Sequence, residues 1–177
     1  MMRIREATLD DLPELTALMD AAINELQKPF LSDAEIKASH AVMGIDTQLV
    51  RDGTYVIAEI DGEIAGCGGW SWRATLYGGD HSTSLRNDAV LDPERDPAKI
   101  RAMYTHPDFA RRGVGGAVLI ACEQAARKKG FRRAEMMATL AGEPLYRRYG
   151  YQEIERLMSD PIDGVRVPLV RMGKKLE

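Results

Sequence analysis

The chain has 177 residues, 45% of them hydrophobic and 29% charged, which is ordinary globular composition and enough length for one domain with its own core. A net charge of -3 and a pI of about 5.7 argue against a nucleic-acid surface, and the opening stretch MMRIREATLDDL is too charged for a signal peptide or membrane span. Cys67 and Cys122 lie in apolar stretches with no metal ligand at a useful spacing, so we expect reduced core residues, no metal, and a soluble cytoplasmic protein that engages neither nucleic acid nor membrane.

Met2 to Ala7 fits a short strand. Thr8 followed by Asp11 is a capping signature that opens a helix with Pro13 near its start, and Leu12, Leu15, Leu18, Met19, Ala22 and Leu26 form its apolar stripe. Lys28-Pro29 breaks that helix. Ser32 with Glu35 then opens a second, shorter one, expected to reach about Val42, on which His40 is a helix-face residue. Thr54 to Ile60 and Glu63 to Trp70 are strand-like runs joined by Asp61-Gly62, the strongest hairpin signal in the chain. Ser71 to Pro97 has no regular pattern, and connections of that length are more often functional or disordered than neutral. Its first half, with Trp72, Arg73, Tyr77, Gly78-Gly79, Asp80 and His81, favours a lid or specificity loop over plain disorder.

From Lys99 to Gly130 the pattern is strand, turn and helix. Ile100, Ala102 and Tyr104 alternate with Arg101, Met103 and Thr105, so the two sets are expected on opposite faces, and His106-Pro107 ends the strand. A helix starts at Gly113-Val114-Gly115-Gly116, carries Val114, Val118, Ala121, Cys122 and Ala125 at helical spacing, and stops at Gly130 after Arg127, Lys128 and Lys129. Its first amides have no intrahelical partner, the macrodipole is positive there, and glycines let an anion come close. With Arg111 and Arg112 alongside, this reads as a polyphosphate site; an ordinary glycine-rich turn with surface arginines is the plainer alternative. No Gly-x-x-x-x-Gly-Lys-Ser/Thr run exists, and Val118 stands where a dinucleotide fingerprint needs glycine or alanine. Arg133 to Ala138 is a further strand, Gly142 to Tyr149 a short helix, Tyr151 to Met158 a strand, and Asp163-Gly164 turns the chain into a last strand, Val165 to Met172.

The pattern His-Pro-x-x-x-Arg-Arg-Gly-Val-Gly-Gly-Ala-x-Leu from His106 to Leu119, with Leu145-Tyr146-Arg147-Arg148-Tyr149-Gly150-Tyr151 downstream, resembles the GCN5-related N-acetyltransferase (GNAT) family. The resemblance implies an α/β fold: one N-acetyltransferase domain over residues 1–177, with a mixed, mostly antiparallel sheet of six to seven strands, helices on both faces and a splayed central parallel pair. It implies acetyl-CoA as co-substrate and an amine-bearing acceptor, with acetyl transfer through a ternary complex. The diphosphate would lie on the amides of Arg111, Arg112, Gly113, Val114, Gly115 and Gly116. The pantetheine arm would pair with the backbone of Met103, Tyr104 and Thr105. Tyr146 would be the general acid; an amphipathic tyrosine on a short helix is the plain alternative. Family members that dimerise imply a homodimer.

Two positions depart from the family pattern. Ala110 replaces a glutamine or arginine at the start of the phosphate loop, and Thr139 replaces an asparagine that contacts the cofactor arm. The general base is left unassigned among Tyr104 acting through a water, His81, Asp80 and Glu143. Trp70, Trp72, Arg73 and Tyr77 either border the acceptor or pack in the core. A non-catalytic acyl-CoA-binding sensor is the other functional reading.

Overall fold

In the computed structural model, which describes residues 1–177, β1 (Met2–Glu6), β2 (Tyr55–Ile60), β3 (Glu63–Ser71), β4 (Ala98–Thr105), β5 (Arg133–Thr139), β6 (Gln152–Met158) and β7 (Pro168–Lys175) form one sheet in the order β1-β2-β3-β4-β5-β7-β6. Every neighbouring pair is antiparallel except β4 with β5. Helices α1 (Leu12–Leu26), α2 (Asp33–Ser39) and α3 (Thr47–Arg51) cover one face, and α4 (Val114–Lys128) and α5 (Glu143–Arg148) cover the other. This is the mixed α/β fold with a central parallel pair expected from the sequence. No helix is long and apolar enough to cross a membrane.

Each face is filled by the apolar stripe of one long helix. Leu15, Leu18, Met19 and Ile23 of α1 pack with Tyr55, Ile57 and Cys67, while Val114, Val118, Leu119 and Cys122 of α4 pack with Ala65, Ile100, Ala134 and Met172. α2 sets Ile36 and Ala38 against Val167 and Leu169 at the far end of the sheet.

The capping signals act close to where they were read, with local differences. Thr8 and Asp11 form their capping box on a 3₁₀ turn, Leu9–Asp11, that leads into α1. Arg5 of β1 donates to both Asp11 oxygens at 2.9 and 2.8 Å, tying the first strand to that turn. Ser32 and Glu35 cap α2 reciprocally at 3.2 and 2.9 Å. That helix stops at Ser39 rather than near Val42, because the Ser39 hydroxyl turns back to donate to the Ile36 carbonyl at 2.6 Å and accepts from Gln27. α3, which was not foreseen, starts at Asp46, whose carboxylate accepts from the Gln48 amide at 3.1 Å.

The expected alternation along β4 is corrected by a bulge. Ala102 has φ +50°, and the β3–β4 register shifts between Cys67 and Gly69. Ile100 and Met103 therefore pack on the α4 side, and Ala102 and Tyr104 on the α1 side, so Ile100 does not share a face with Ala102 and Tyr104. Beside the bulge, α4 lies unusually close to β3. A Cβ at Gly66 would stand 2.4 Å from Val114 Cγ1 and 3.0 Å from the Tyr104 carbonyl oxygen. Gly66→Ala should thus destabilise the protein by about 1–3 kcal/mol through overpacking, read as a lower denaturant midpoint in urea; an unchanged midpoint would show that α4 can move outward freely.

Candidate active site

Strands β4 and β5 pair only at Ala98 with Ala134 and Lys99 with Glu135, and then part. A buried ion-pair cluster closes the apex. Lys99 meets Glu135 directly, and Arg171 of β7 donates to the same carboxylate at 2.7 and 3.2 Å. Burial pushes the Glu135 carboxyl up, but the bonds from Lys99 and Arg171 outweigh it and hold the group below the usual carboxylate range.

Beyond the apex the gap widens into a narrow cleft of about 70 Å³, walled by Ile100 to Tyr104 on one side and by Met136, Met137, Thr139 and Tyr146 on the other. On the near wall the bulge is pinned from behind: Tyr55 of β2 donates its hydroxyl to the Ala102 carbonyl at 2.6 Å. The inner edge of β4 through Met103, Tyr104 and Thr105 has no ladder partner in β5. Backbone donors and acceptors are obligatory hydrogen-bonding groups, so this edge is free to pair with an extended ligand.

At one end of the gap, the turn after β4 leads into α4. Arg111 (φ +62°) and Gly113 (φ +80°) both adopt the left-handed region, and Gly113 is the N-cap of α4 without a side-chain cap. Arg111 and Arg112 are exposed, and Arg112 lies over the Phe109 ring at 5.3 Å. A Cβ on Gly113 would meet nothing within 4 Å, so the approach to the first amides of α4 is open. The other two glycines do different work. A Cβ on Gly115 would stand 2.7 Å from Leu145, and one on Gly116 2.0 Å from the Tyr149 hydroxyl, so these positions let α5 sit on the first turn of α4.

That contact brings Tyr146 into the cleft. Its side chain is buried against Tyr151 and lines the gap, and burial followed by the neighbouring Cys122 thiol raises its pKa above the ordinary phenol value. The phenol is therefore protonated at neutral pH. Thr139 also lines the cleft, and its hydroxyl accepts from the Gly142 amide at 3.1 Å, shaping the entry to α5.

Of the residues considered as a base, only Tyr104 reaches the cleft. It is buried, its hydroxyl accepts from the Gly44 amide at 2.8 Å, and burial raises its pKa. Asp80 accepts from the Thr47 amide at 3.0 Å, His81 donates to the His40 carbonyl at 2.6 Å, and Glu143 is held by Arg147 and Arg156 at 2.7 and 2.5 Å. All three serve structure. No group of three His, Cys, Asp or Glu side chains is placed to hold a metal ion.

The long connection from 71 to 97 folds back on itself and forms another wall. Ala74 donates to Ala89 at 2.9 Å and Leu91 to Trp72 at 2.8 Å, while Asp80 and Ser82 fasten its tip to Ile45 and Ala41. Tyr77 and Gly78 line the cleft. Trp70 instead packs edge-on against Phe131 and Trp72, and Arg73 pairs with Asp52 at 2.8 Å. Sequence reading missed a cluster beneath this wall. Asp46, fully buried, accepts from Arg101 at 2.6 Å and from Arg86 at 2.8 Å. The one local hint was a charged residue inside the apolar run of β4.

The model of the acetyltransferase (GNAT) family matches residues 16–151. Among solved structures, the fold is similar to a protein described as a GCN5-related N-acetyltransferase, aminotransferase class-II, from Rhodopseudomonas palustris, with TM-score 0.72 and 21% identity over 98% of this chain and 95% of that one. It is similar to the PaiA N-acetyltransferase of Thermoplasma acidophilum, solved in complex with coenzyme A, with TM-score 0.65 and 14% identity over 99% of both chains. It is similar also to yncA, a putative acetyltransferase from Salmonella typhimurium solved with acetyl-CoA, with TM-score 0.66 and 17% identity over 100% of this chain and 95% of that one. At these identities the likeness is one of fold. No curated protein sequence matches the chain.

If Tyr55 sets the bulge, Tyr55→Phe leaves the half-buried Ala102 carbonyl without that donor. We expect a loss of about 1–3 kcal/mol in urea unfolding and faster amide exchange at Met103 and Tyr104. Unchanged exchange there would mean the bulge stands without the hydroxyl.

Proposed function

The chain belongs to the acetyltransferase (GNAT) family, and from that premise we propose that it transfers the acetyl group of acetyl-CoA to a primary amine, with both substrates held in the cleft at once. One observation carries this reading: a parallel strand pair that parts beside an open helix N-terminus, with a buried phenol on the facing wall. The coenzyme A and acetyl-CoA in the PaiA and yncA structures support it. We take residues 1–177 as one N-acetyltransferase domain.

The residues present fit that co-substrate. The amides from Arg111 to Gly116 would hold its diphosphate: Gly113 leaves the approach clear, the helix end is positive, and Arg111 and Arg112 add charge from solvent. Ala110 removes a side-chain contact from this loop but not its amides. The unpaired inner edge of β4 from Met103 to Thr105 would hold the pantetheine arm as an added strand. Bound acetyl-CoA supplies a thioester carbonyl as electrophile. A backbone N–H of that edge, preorganised by the bulge, polarises the carbonyl oxygen in the transition state. Tyr146, which burial keeps protonated, donates its proton to the departing thiolate.

The amine must attack as its neutral form. The cleft is lined by phenols, a hydroxyl, apolar groups and Arg101, with no carboxylate or histidine among them. We therefore assign the amine's proton to solvent at the cleft mouth and no side chain as base.

Two measurements test this. In calorimetry, acetyl-CoA should bind more tightly than ADP, and Gly113→Asp, whose side chain has space but whose φ of +80° costs about 1–2 kcal/mol, should weaken coenzyme binding by about tenfold or more by placing a carboxylate where the diphosphate sits, with folding checked by its Tm. Failure to bind coenzyme, or equal affinity for ADP, would sink the transferase reading. Tyr146→Phe should lower kcat by about 10²-fold or more with coenzyme affinity retained; an unchanged kcat would assign the thiolate's proton elsewhere.

A further inference from the structure

Only one formally charged side chain stands in the wall of the cleft, and it is Arg101; its neighbours there include Met43, Leu76, Met136 and Met137. Its side chain is 2% exposed. Buried arginine does not shed its proton, so the charge must be met by other groups.

The protein meets it incompletely. Arg101 Nη2 donates to Asp46 and to the Gly78 carbonyl, both at 2.6 Å, and Nη1 reaches the Thr75 carbonyl at 3.4 Å. Asp46 is shared, because Arg86 donates to the same oxygen at 2.8 Å. Two guanidinium groups share one buried carboxylate, and the remaining positive charge is offset only by the exposed Asp80 and Asp88 and by solvent at Arg86. Asp88 approaches Arg86 only from outside, at 3.8 Å, and its carboxylate is largely solvated. The Arg101 Nε–H is buried and has no acceptor at all. Tying the 71 to 97 connection to β4 accounts for the Nη contacts but explains neither the surplus charge nor the unused donor. Such an arrangement beside a methionine-lined cleft is unfavourable unless an anion completes it.

Resting on the acetyl-transfer reading above, we infer that the acceptor is a primary amine bearing a carboxylate on an apolar body, and that Arg101 binds this carboxylate. The carboxylate approaches the guanidinium at the cleft wall and neutralises the surplus charge, and the apolar body lies against Met43 and Met137. An acceptor with several ammonium groups is disfavoured by the same charge.

The test uses acetyl-CoA with leucine, methionine and phenylalanine against leucinamide, 3-methylbutylamine and spermidine, following thiol release. We expect kcat/KM at least about tenfold higher for the best amino acid than for the uncharged and polycationic amines, although leucinamide has the more readily deprotonated amine. Arg101→Gln should erase the preference through a higher KM for the acid, and Arg101→Lys should restore part of it. In parallel, 4-methylpentanoate, which has no amine, should raise the Tm of the wild-type protein while its amide does not. Preference for uncharged or polycationic amines, or no turnover of any of the three acids by protein that binds acetyl-CoA, overturns the inference. Stabilisation by 4-methylpentanoate without acetyl-CoA binding instead overturns the transferase reading and keeps Arg101 as an anion site. If Arg101→Gln does not fold, the wild-type panel and the Tm comparison decide the matter alone.

Discussion

Two parallel strands that stop pairing after two rungs impose a demand on everything around them. Backbone groups along the inner edges of β4 and β5 lose ladder partners beyond Lys99 and Glu135, and a sheet would ordinarily close such a gap. Several features hold it open. The Lys99, Glu135 and Arg171 cluster fixes the apex, and Met103, Met136 and Met137 keep the walls apart. The bulge at Ala102, fastened by Tyr55, falls in β4 just past the last rung it shares with β5. Residues of β2, β4, β5 and β7 all take part, so the gap is a property of the whole sheet.

The two ends of the gap handle charge in opposite ways. Near Gly113 the cations are exposed and the backbone donors open, which suits a hydrated, multiply charged group whose binding tolerates side-chain motion. Beneath the 71 to 97 connection, Asp46 and Arg101 are almost wholly buried, and their positions are set by bonds of 2.6 Å. A buried pair is weakly screened and geometrically exact in its demands on a neighbour.

Legibility in the sequence followed the range of the forces involved. The Asp61-Gly62 hairpin was readable because both residues take left-handed angles, +51° and +85°, that their own chemistry allows. The Ser32 and Glu35 capping box and the start of α4 at Gly113 are likewise local. The bulge was not readable, since alanine has no preference for φ +50° and the conformation is set across β3 and by a hydroxyl 47 residues away. The Asp46 and Arg101 pair spans 55 residues. α3 has only five residues, too few for a helical period to declare itself. Gly115 and Gly116 were read as room for phosphate, whereas only Gly113 faces open space. The Leu145 to Tyr151 motif did lead to the tyrosine in the cleft, though its route there passes through those glycines.

That route has a mechanical consequence. With Leu145 and Tyr149 resting on the bare backbone of α4's first turn, the two helices act as the fixed jaws of a caliper, one carrying the open amides and the other the buried phenol. The span between them is set by just two side chains, Leu145 and Tyr149, which meet no side chain on the α4 side at Gly115 and Gly116. A fixed spacing of this kind would gauge a bound molecule by length. One that is anionic at one end and reactive at the other engages both jaws only when the intervening chain matches the span, and a truncated version touches just one.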